Sequence, residues 1–492
     1  MKIVKQFLRA LLFLIIMGCN RQNIVITVEF PEQSEVNTLI YSVPISGTIY
    51  LGFSDTLKRN ETGKFELKMK ITQSSSIIFW SEVSPRNRVT LLVEPGNNYQ
   101  VSIGGEESVQ ITGANEKGQM LYATLPNPPF IEMELRNWLR DTTVSINFVH
   151  HQINELKQAD LSKFKELLNN KEITKSFFDL VQKDRNCYYA SLEARYLLVK
   201  TFEPVRRGVK IDDELLENLK KIYDQYSPND KRLLFSPFWS EYATNYVENY
   251  TQFIQEDFNV QKIQDLAQSG AIYTYFSNEA KKYLSGKALE LYQARHIHFT
   301  CIQPRSSFEK GLISLFEQFE KDYPRSEYAK YLKPHIDKII EHHQIIEQPF
   351  DQAILFMENY ENINTLAEAI RPLQGKKIYI DVWATWCGPC IDEFAHNEAF
   401  KKLLTENDIQ QLYISIDRDD DDQKWKNAIK QYHLTGIHIR TNNEFHSNLA
   451  KIFSVENPHL AIPWYIMIDE NGKIIEERAK RPSQLVAGEK LW

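Results

Sequence analysis

Ten residues, Asp381-Val382-Trp383-Ala384-Thr385-Trp386-Cys387-Gly388-Pro389-Cys390, constrain this chain more than any other stretch. Lys377 to Trp383 carries the β-branched and aromatic content of a buried strand. Asp392, Phe394 and the apolar set Ala395, Phe400, Leu403 and Leu404 predict an amphipathic helix directly beyond it. Cys387 and Cys390 fall at the junction. Unpaired backbone N–H groups at a helix N-terminus favour negative charge, so a cysteine there loses its proton more easily than a free thiol. That makes Cys387 the candidate nucleophile. Cys390, one helical turn later, lies on the same side and is placed to attack a mixed disulfide. Pro389 suits the first turn, where its missing N–H costs little, and Gly388 keeps the approach to the sulfur open.

The residues leave three readings of the cysteine pair: redox exchange, half of a zinc site, or an inert bridge. Zinc needs two further ligands at matching spacing, and no second close Cys or Cys/His pair follows, so no metal site is expected. An inert bridge across two intervening residues closes a strained, reducible loop. Redox exchange is the reading taken forward, with no bound cofactor beyond the Cys387–Cys390 couple.

Trp-Cys-Gly-Pro-Cys after an Asp-containing strand resembles thioredoxin, and the wider context resembles the membrane-anchored thioredoxin-like oxidoreductases of bacteria, the TlpA/ResA type. A second landmark of that family follows at Ala461-Ile462-Pro463. The resemblance implies a cis proline at Pro463, lying against the cysteines and shaping the substrate groove with Ile462. It implies that Trp386, Gly388 and Pro389 form the docking surface. It gives Asp381 the role of a buried carboxylate that exchanges a proton with Cys390, and Glu393 a supporting one. A buried carboxylate is raised by desolvation and so can act as a base near neutral pH. Trp464 departs from the small residue usual after the proline, which leaves substrate preference open. The implied partners are disulfide-containing envelope proteins, apocytochrome c among them, and a membrane thiol donor of electrons. The Gly-Pro pair favours the reducing direction. Oxidase or isomerase chemistry, or an envelope-binding lipoprotein whose redox domain is accessory, are the alternatives.

The N-terminus is the second strong signal. Lys2, Lys5 and Arg9 precede the apolar run Ala10 to Met17, which is too short to span a bilayer and reads as a signal peptide. Ile16-Met17-Gly18-Cys19 resembles the bacterial lipoprotein processing box. That implies cleavage before Cys19, a lipid on its sulfur, and a protein anchored to the membrane with its bulk facing the periplasm. An ordinary signal peptide or an uncleaved anchor are the competing readings.

At 492 residues the chain has room for several domains, and 42% hydrophobic with 25% charged residues is a globular balance. A formal charge of -7 gives no electrostatic case for nucleic-acid binding. The expected organisation is a signal peptide at 1–18, an all-β, sandwich-like domain at 19–115, an all-α domain at 116–349 and an α/β thioredoxin-like domain at 350–492. Alternation marks strands at Ile24–Phe30 and Lys64–Ile71, and Thr48–Phe53 is read as another. Leu215, Leu219, Ile222, Tyr223 and Tyr226, and then Phe308, Leu312, Leu315, Phe316 and Phe319, recur at helical spacing, with Ser306 and Glu309 read as a capping box for the second set. Cys187 and Cys301 are expected as buried free thiols, a disulfide between them being the alternative. The acidic run Asp419 to Asp422 is read as favourable charge at a helix start rather than a calcium site, and His342-His343 as a solvated helix face.

Overall fold

The computed structural model describes residues 22–489, apart from 32, 84–87, 105–108, 129, 141–143, 256–257, 304–307 and 454–459. Cys19, the leader before it and Ser306 lie outside the described residues. The chain forms two compact units, divided between Ile339 and Ile340, within the helix Ala329–Glu347.

The first unit begins with strands β1 (Asn23–Glu29), β2 (Thr38–Ser42), β3 (Ser54–Lys58), β4 (Phe65–Lys70), β5 (Ser75–Trp80), β6 (Val89–Val93), β7 (Asn98–Ile103) and β8 (Val109–Gly113). They make two sheets, ordered β4-β1-β7-β8 and β3-β2-β5-β6. Alternation sets the register. Ile24, Ile26 and Val28 of β1 and Phe65 and Leu67 of β4 point inward, while Glu66 and Lys68 stay outside. These residues join Val101, Ile111, Ile77 and Leu91 in one apolar core. The expected strand at Thr48–Phe53 does not form. The Ile49 N–H bonds the carbonyl of Leu234, and Thr48 Oγ1 lies 2.5 Å from the Tyr328 hydroxyl. Phe53 packs on Tyr328 and Tyr331. Contacts with the helices draw this segment out of the ladder.

Helices fill the rest of the unit. The periodic apolar faces land where the spacing predicts them, on Asp213–Gln225 and Gly311–Asp322. Tyr226 falls just past the first helix, at its C-cap, and the second begins only at Gly311, with Phe308 ahead of it, 38% exposed. Cys187 and Cys301 are both buried free thiols, and burial pushes the Cys301 thiol up to about 12. The long helix Lys175–Arg206 carries a buried ion pair. Asp184 accepts from the Tyr122 hydroxyl at 2.8 Å, from Ser236 Oγ at 2.7 Å and from Arg185 Nη2 at 2.7 Å. Arg185 also donates to the carbonyl of Pro126 and lies beneath the rings of Tyr188 and Phe238. Arg185→Ala leaves a buried carboxylate without its cation. It is expected to cost about 3–5 kcal/mol, read as a lowered urea midpoint.

The second unit is a six-stranded sheet of β9 (Ile354–Phe356), β10 (Lys377–Trp383), β11 (Ile409–Ser415), β12 (Gly436–Arg440), β13 (Trp464–Ile468) and β14 (Ile474–Glu476), in the order β14-β13-β10-β11-β12-β9. β10 is central, parallel to β11 and antiparallel to β13. Ile378, Ile380 and Val382 enter one core, with Trp425, Ile429 and Leu449. Tyr379 points to the other face, against Phe400, Leu404 and Tyr465. The helix expected after the cysteines is broken into Gly388–Glu393, a 3-10 turn at Phe394–His396, and Asn397–Glu406. Phe394 takes the turn, packed on Trp383 at 5.2 Å and Tyr432 at 5.4 Å. His342 is half-buried rather than solvated, and its Nδ1 lies 2.7 Å from Gln431 Oε1.

Candidate active site

β10 delivers the chain to the site. After Trp383 a short turn leads to Cys387, which caps the helix Gly388–Glu393. Cys387 and Cys390 are joined by a disulfide, with Cα atoms 5.3 Å apart. The Cys390 backbone N–H donates to Cys387 Sγ at 3.2 Å. On reduction that N–H faces a thiolate, and a donor aimed at an anion stabilises it. Exposure separates the two residues: Cys387 retains 5% and Cys390 none. Of the pair, Cys387 is the residue with any solvent access.

The surroundings of Cys387 are open. Trp386 is 59% exposed, and Gly388 and Pro389 are exposed beside it. A side chain on Gly388 would meet no atom, so the space beside that position is open. Trp386 borders a groove of about 860 Å³ that runs past Asp417 and Asp420 to Asn442, His446 and Leu460. The Ile462–Pro463 bond is cis, and both residues are half-buried. Trp464 turns inward. It is buried against Phe453, donates from Nε1 to the carbonyl of Glu477 at 2.5 Å, and carries Arg478 over its ring. Its size is accommodated in the core.

Asp381 is buried at 1% exposure, and its Oδ1 has no hydrogen-bond partner among the described residues. Strand register places it between Tyr413 of β11 and Tyr465 of β13. Burial, and secondarily the charge of Glu393, hold the Asp381 carboxyl well above the usual carboxylate range. Glu393 is one turn beyond Cys390 on the same helix. It accepts from the Ser483 N–H at 2.9 Å and Ser483 Oγ at 3.0 Å, and faces Arg481 Nη1 at 3.9 Å.

One carboxylate was not legible as part of the site. Asp417 is 2% exposed and accepts from the Thr385 N–H, from Thr385 Oγ1 at 2.7 Å and from Ser415 Oγ at 2.8 Å. It ties the end of β11 to the turn that carries Trp386 and Cys387. Its only sequence signal is a polar residue at the end of an apolar strand. Asp417→Ala leaves one buried donor, Ser415 Oγ, and two partly buried ones of Thr385 without their acceptor, and is expected to cost about 1–3 kcal/mol in denaturant unfolding. The acidic run is partly neutralised: Asp419 meets Arg440 at 2.5 Å, and Asp422 bonds Lys426 at 2.7 Å and the Tyr360 hydroxyl at 3.2 Å. Among the described residues no cluster of His, Cys, Asp and Glu is arranged to hold a metal ion.

A central parallel pair flanked by an antiparallel strand, with a cysteine pair where the central strand enters a helix, defines a thioredoxin-like domain. Residues 362–484 match the Redoxin family. The chain is 31% identical over 110 residues to the thiol-disulfide oxidoreductase ResA of Bacillus thuringiensis subsp. konkukian, a match that covers 22% of this chain and 57% of that protein. It is 28% identical over 109 residues to the ResA of Bacillus anthracis, with the same coverage of 22% and 57%. It thus spans little more than half the length of these curated relatives. Among solved structures, a Bacteroides vulgatus protein described as a thiol-disulfide oxidoreductase is 33% identical, with 24% of this chain and 74% of that chain covered and a TM-score of 0.21. StoA from Bacillus subtilis is 19% identical, with 23% and 82% covered and a TM-score of 0.19. The C-terminal region is a Redoxin domain homologous to the ResA-type thiol-disulfide oxidoreductases.

Proposed function

We propose that this protein reduces disulfide bonds of cell-envelope proteins, held at the membrane by a lipid on Cys19 and facing the periplasm. The observation that carries the chemistry is the Cys387–Cys390 disulfide at a helix start, Cys387 the more exposed of the two, after a strand that carries the buried Asp381. The anchor rests on the sequence around Cys19. The Redoxin match and the ResA relatives support the reaction class.

In the reduced protein, the Cys387 thiolate attacks one sulfur of a substrate disulfide. A mixed disulfide forms and one substrate thiolate leaves. The Cys390 thiol then gives its proton to the Asp381 carboxylate and attacks Cys387 Sγ. The second substrate thiolate leaves, and the Cys387–Cys390 bond re-forms. Two electrons pass from the protein dithiol to the substrate. A membrane thiol donor returns them by the reverse exchange. Trp386, Gly388, Pro389, Ile462 and Pro463 dock the substrate strand, and Glu393 adds negative charge that keeps Asp381 avid for a proton.

Rapid alkylation tests the central step. In the reduced protein, Cys387 is expected to react with iodoacetamide at neutral pH about tenfold faster than glutathione, with Cys390 protected. A rate equal to that of glutathione would remove the basis for the proposal.

A further inference from the structure

The helical region of the first unit holds a second cavity of about 560 Å³, walled by Glu248, Tyr273, Phe276, Arg295, His296 and Phe299. Its size falls within the roughly 300–1,000 Å³ typical of small-molecule sites. Glu248 stands on a π-helical turn, Tyr246–Tyr250. Such turns widen the backbone locally and recur where a side chain must be re-aimed into a site.

The cavity carries one carboxylate, Glu248, one guanidinium, Arg295, and the imidazole of His296. Glu248 Oε1 accepts from the Tyr292 hydroxyl at 3.0 Å and faces His296 Nδ1 at 3.4 Å. His296 Nε2 lies 3.0 Å from the carbonyl of Tyr273. Burial pushes the Glu248 carboxyl up, but His296, Arg295 and Tyr292 more than offset it and hold it below its ordinary value. Glu248 and His296 thus satisfy one another. Arg295 acts on Glu248 and Glu241 through space rather than through a hydrogen bond among the described residues. Its Nε is buried and has no hydrogen-bond partner among the described residues. The Arg295 guanidinium instead lies against the Phe299 ring, 4.6 Å from its centre. Phe299 is 39% exposed at the cavity mouth, whereas Phe276 is buried inside.

We propose that this cavity binds a small carboxylate with an apolar body. A guanidinium fork pairs with a carboxylate through two parallel hydrogen bonds, and a single arginine matches a single negative charge. A phosphate dianion fits less well, because one cation would face two charges with Glu248 close by. Phe276 and Phe299 supply the apolar contact. This inference is independent of the thiol chemistry.

Calorimetric titration of the full chain with 3-phenylpropionate tests it, with 3-phenylpropionamide as the uncharged comparator. Saturable binding of the acid at millimolar concentration or below is expected, with the amide about tenfold weaker. Arg295→Gln should weaken the acid to the level of the amide. Phe299→Ala, made at an exposed ring, should weaken both probes while leaving the melting temperature unchanged. No saturable binding of the acid overturns the proposal. Equal affinity for acid and amide in the native protein overturns it too, even where Arg295→Gln fails to fold.

Discussion

Cys390→Ser is expected to stop turnover in insulin reduction and to leave substrate proteins covalently joined to Cys387. Cys387 keeps its place at the helix cap, its exposure and its open approach, so the first attack survives. The second sulfur, which would release the mixed disulfide, is gone. Adducts should accumulate in cells, separate under reducing electrophoresis, and vanish in the double variant Cys387→Ser/Cys390→Ser. Cys387→Ser alone should bring the reduction rate down to that of dithiothreitol without protein. Recovery of no reducible adducts from an envelope fraction would count against protein disulfides as substrates. Retained activity in Cys387→Ser would count against the chemistry itself.

Asp381→Asn is expected to slow the reaction while stabilising the fold. The slowing follows from loss of the group that takes the proton of Cys390. General-base assistance is worth about 10²–10⁴ in rate, and the loss should fall on release of the mixed disulfide, measured by stopped flow. The gain in stability follows from linkage. Burial, with Glu393 adding to it, raises the folded-state affinity of Asp381 for a proton. The folded protein therefore holds that proton over a pH range in which the unfolded chain has lost it. The stability this contributes is fully present below the ordinary aspartate value and is lost as pH rises through the folded-state value. Asparagine carries no such charge to bury. The melting temperature of Asp381→Asn should exceed that of the native protein, and the gap should widen from about pH 5 to about pH 8. A constant gap across that range would mean that Asp381 is not raised. An unchanged release rate would remove it from the mechanism.

The electron donor, the envelope substrates and the lipid on Cys19 belong to the same proposal, and each has a separate readout. Radiolabelled palmitate should enter the native protein and fail to enter Cys19→Ala. That result would leave the redox chemistry of the purified protein untouched, because the anchor and the cysteine pair are far apart in sequence.

What could be read from the chain alone was local. The strand Lys377–Trp383, the helix that starts after Cys387, the alternation of Ile24 to Val28 and the apolar faces of Asp213–Gln225 and Gly311–Asp322 each depend on residues a few positions apart. Backbone geometry converts such spacing directly into a buried face or a cap. The tertiary structure decided whatever depended on partners distant in the chain. Asp417 holds Thr385 across 32 residues, and Glu393 meets Ser483 across 90. Thr48–Phe53 leaves the ladder for Leu234 and Tyr328, Trp464 turns into the core, and Arg295 Nε finds no acceptor among the described residues in a cavity walled by several helices. No periodic pattern encodes these pairings, because each depends on how elements pack rather than on how any one of them forms.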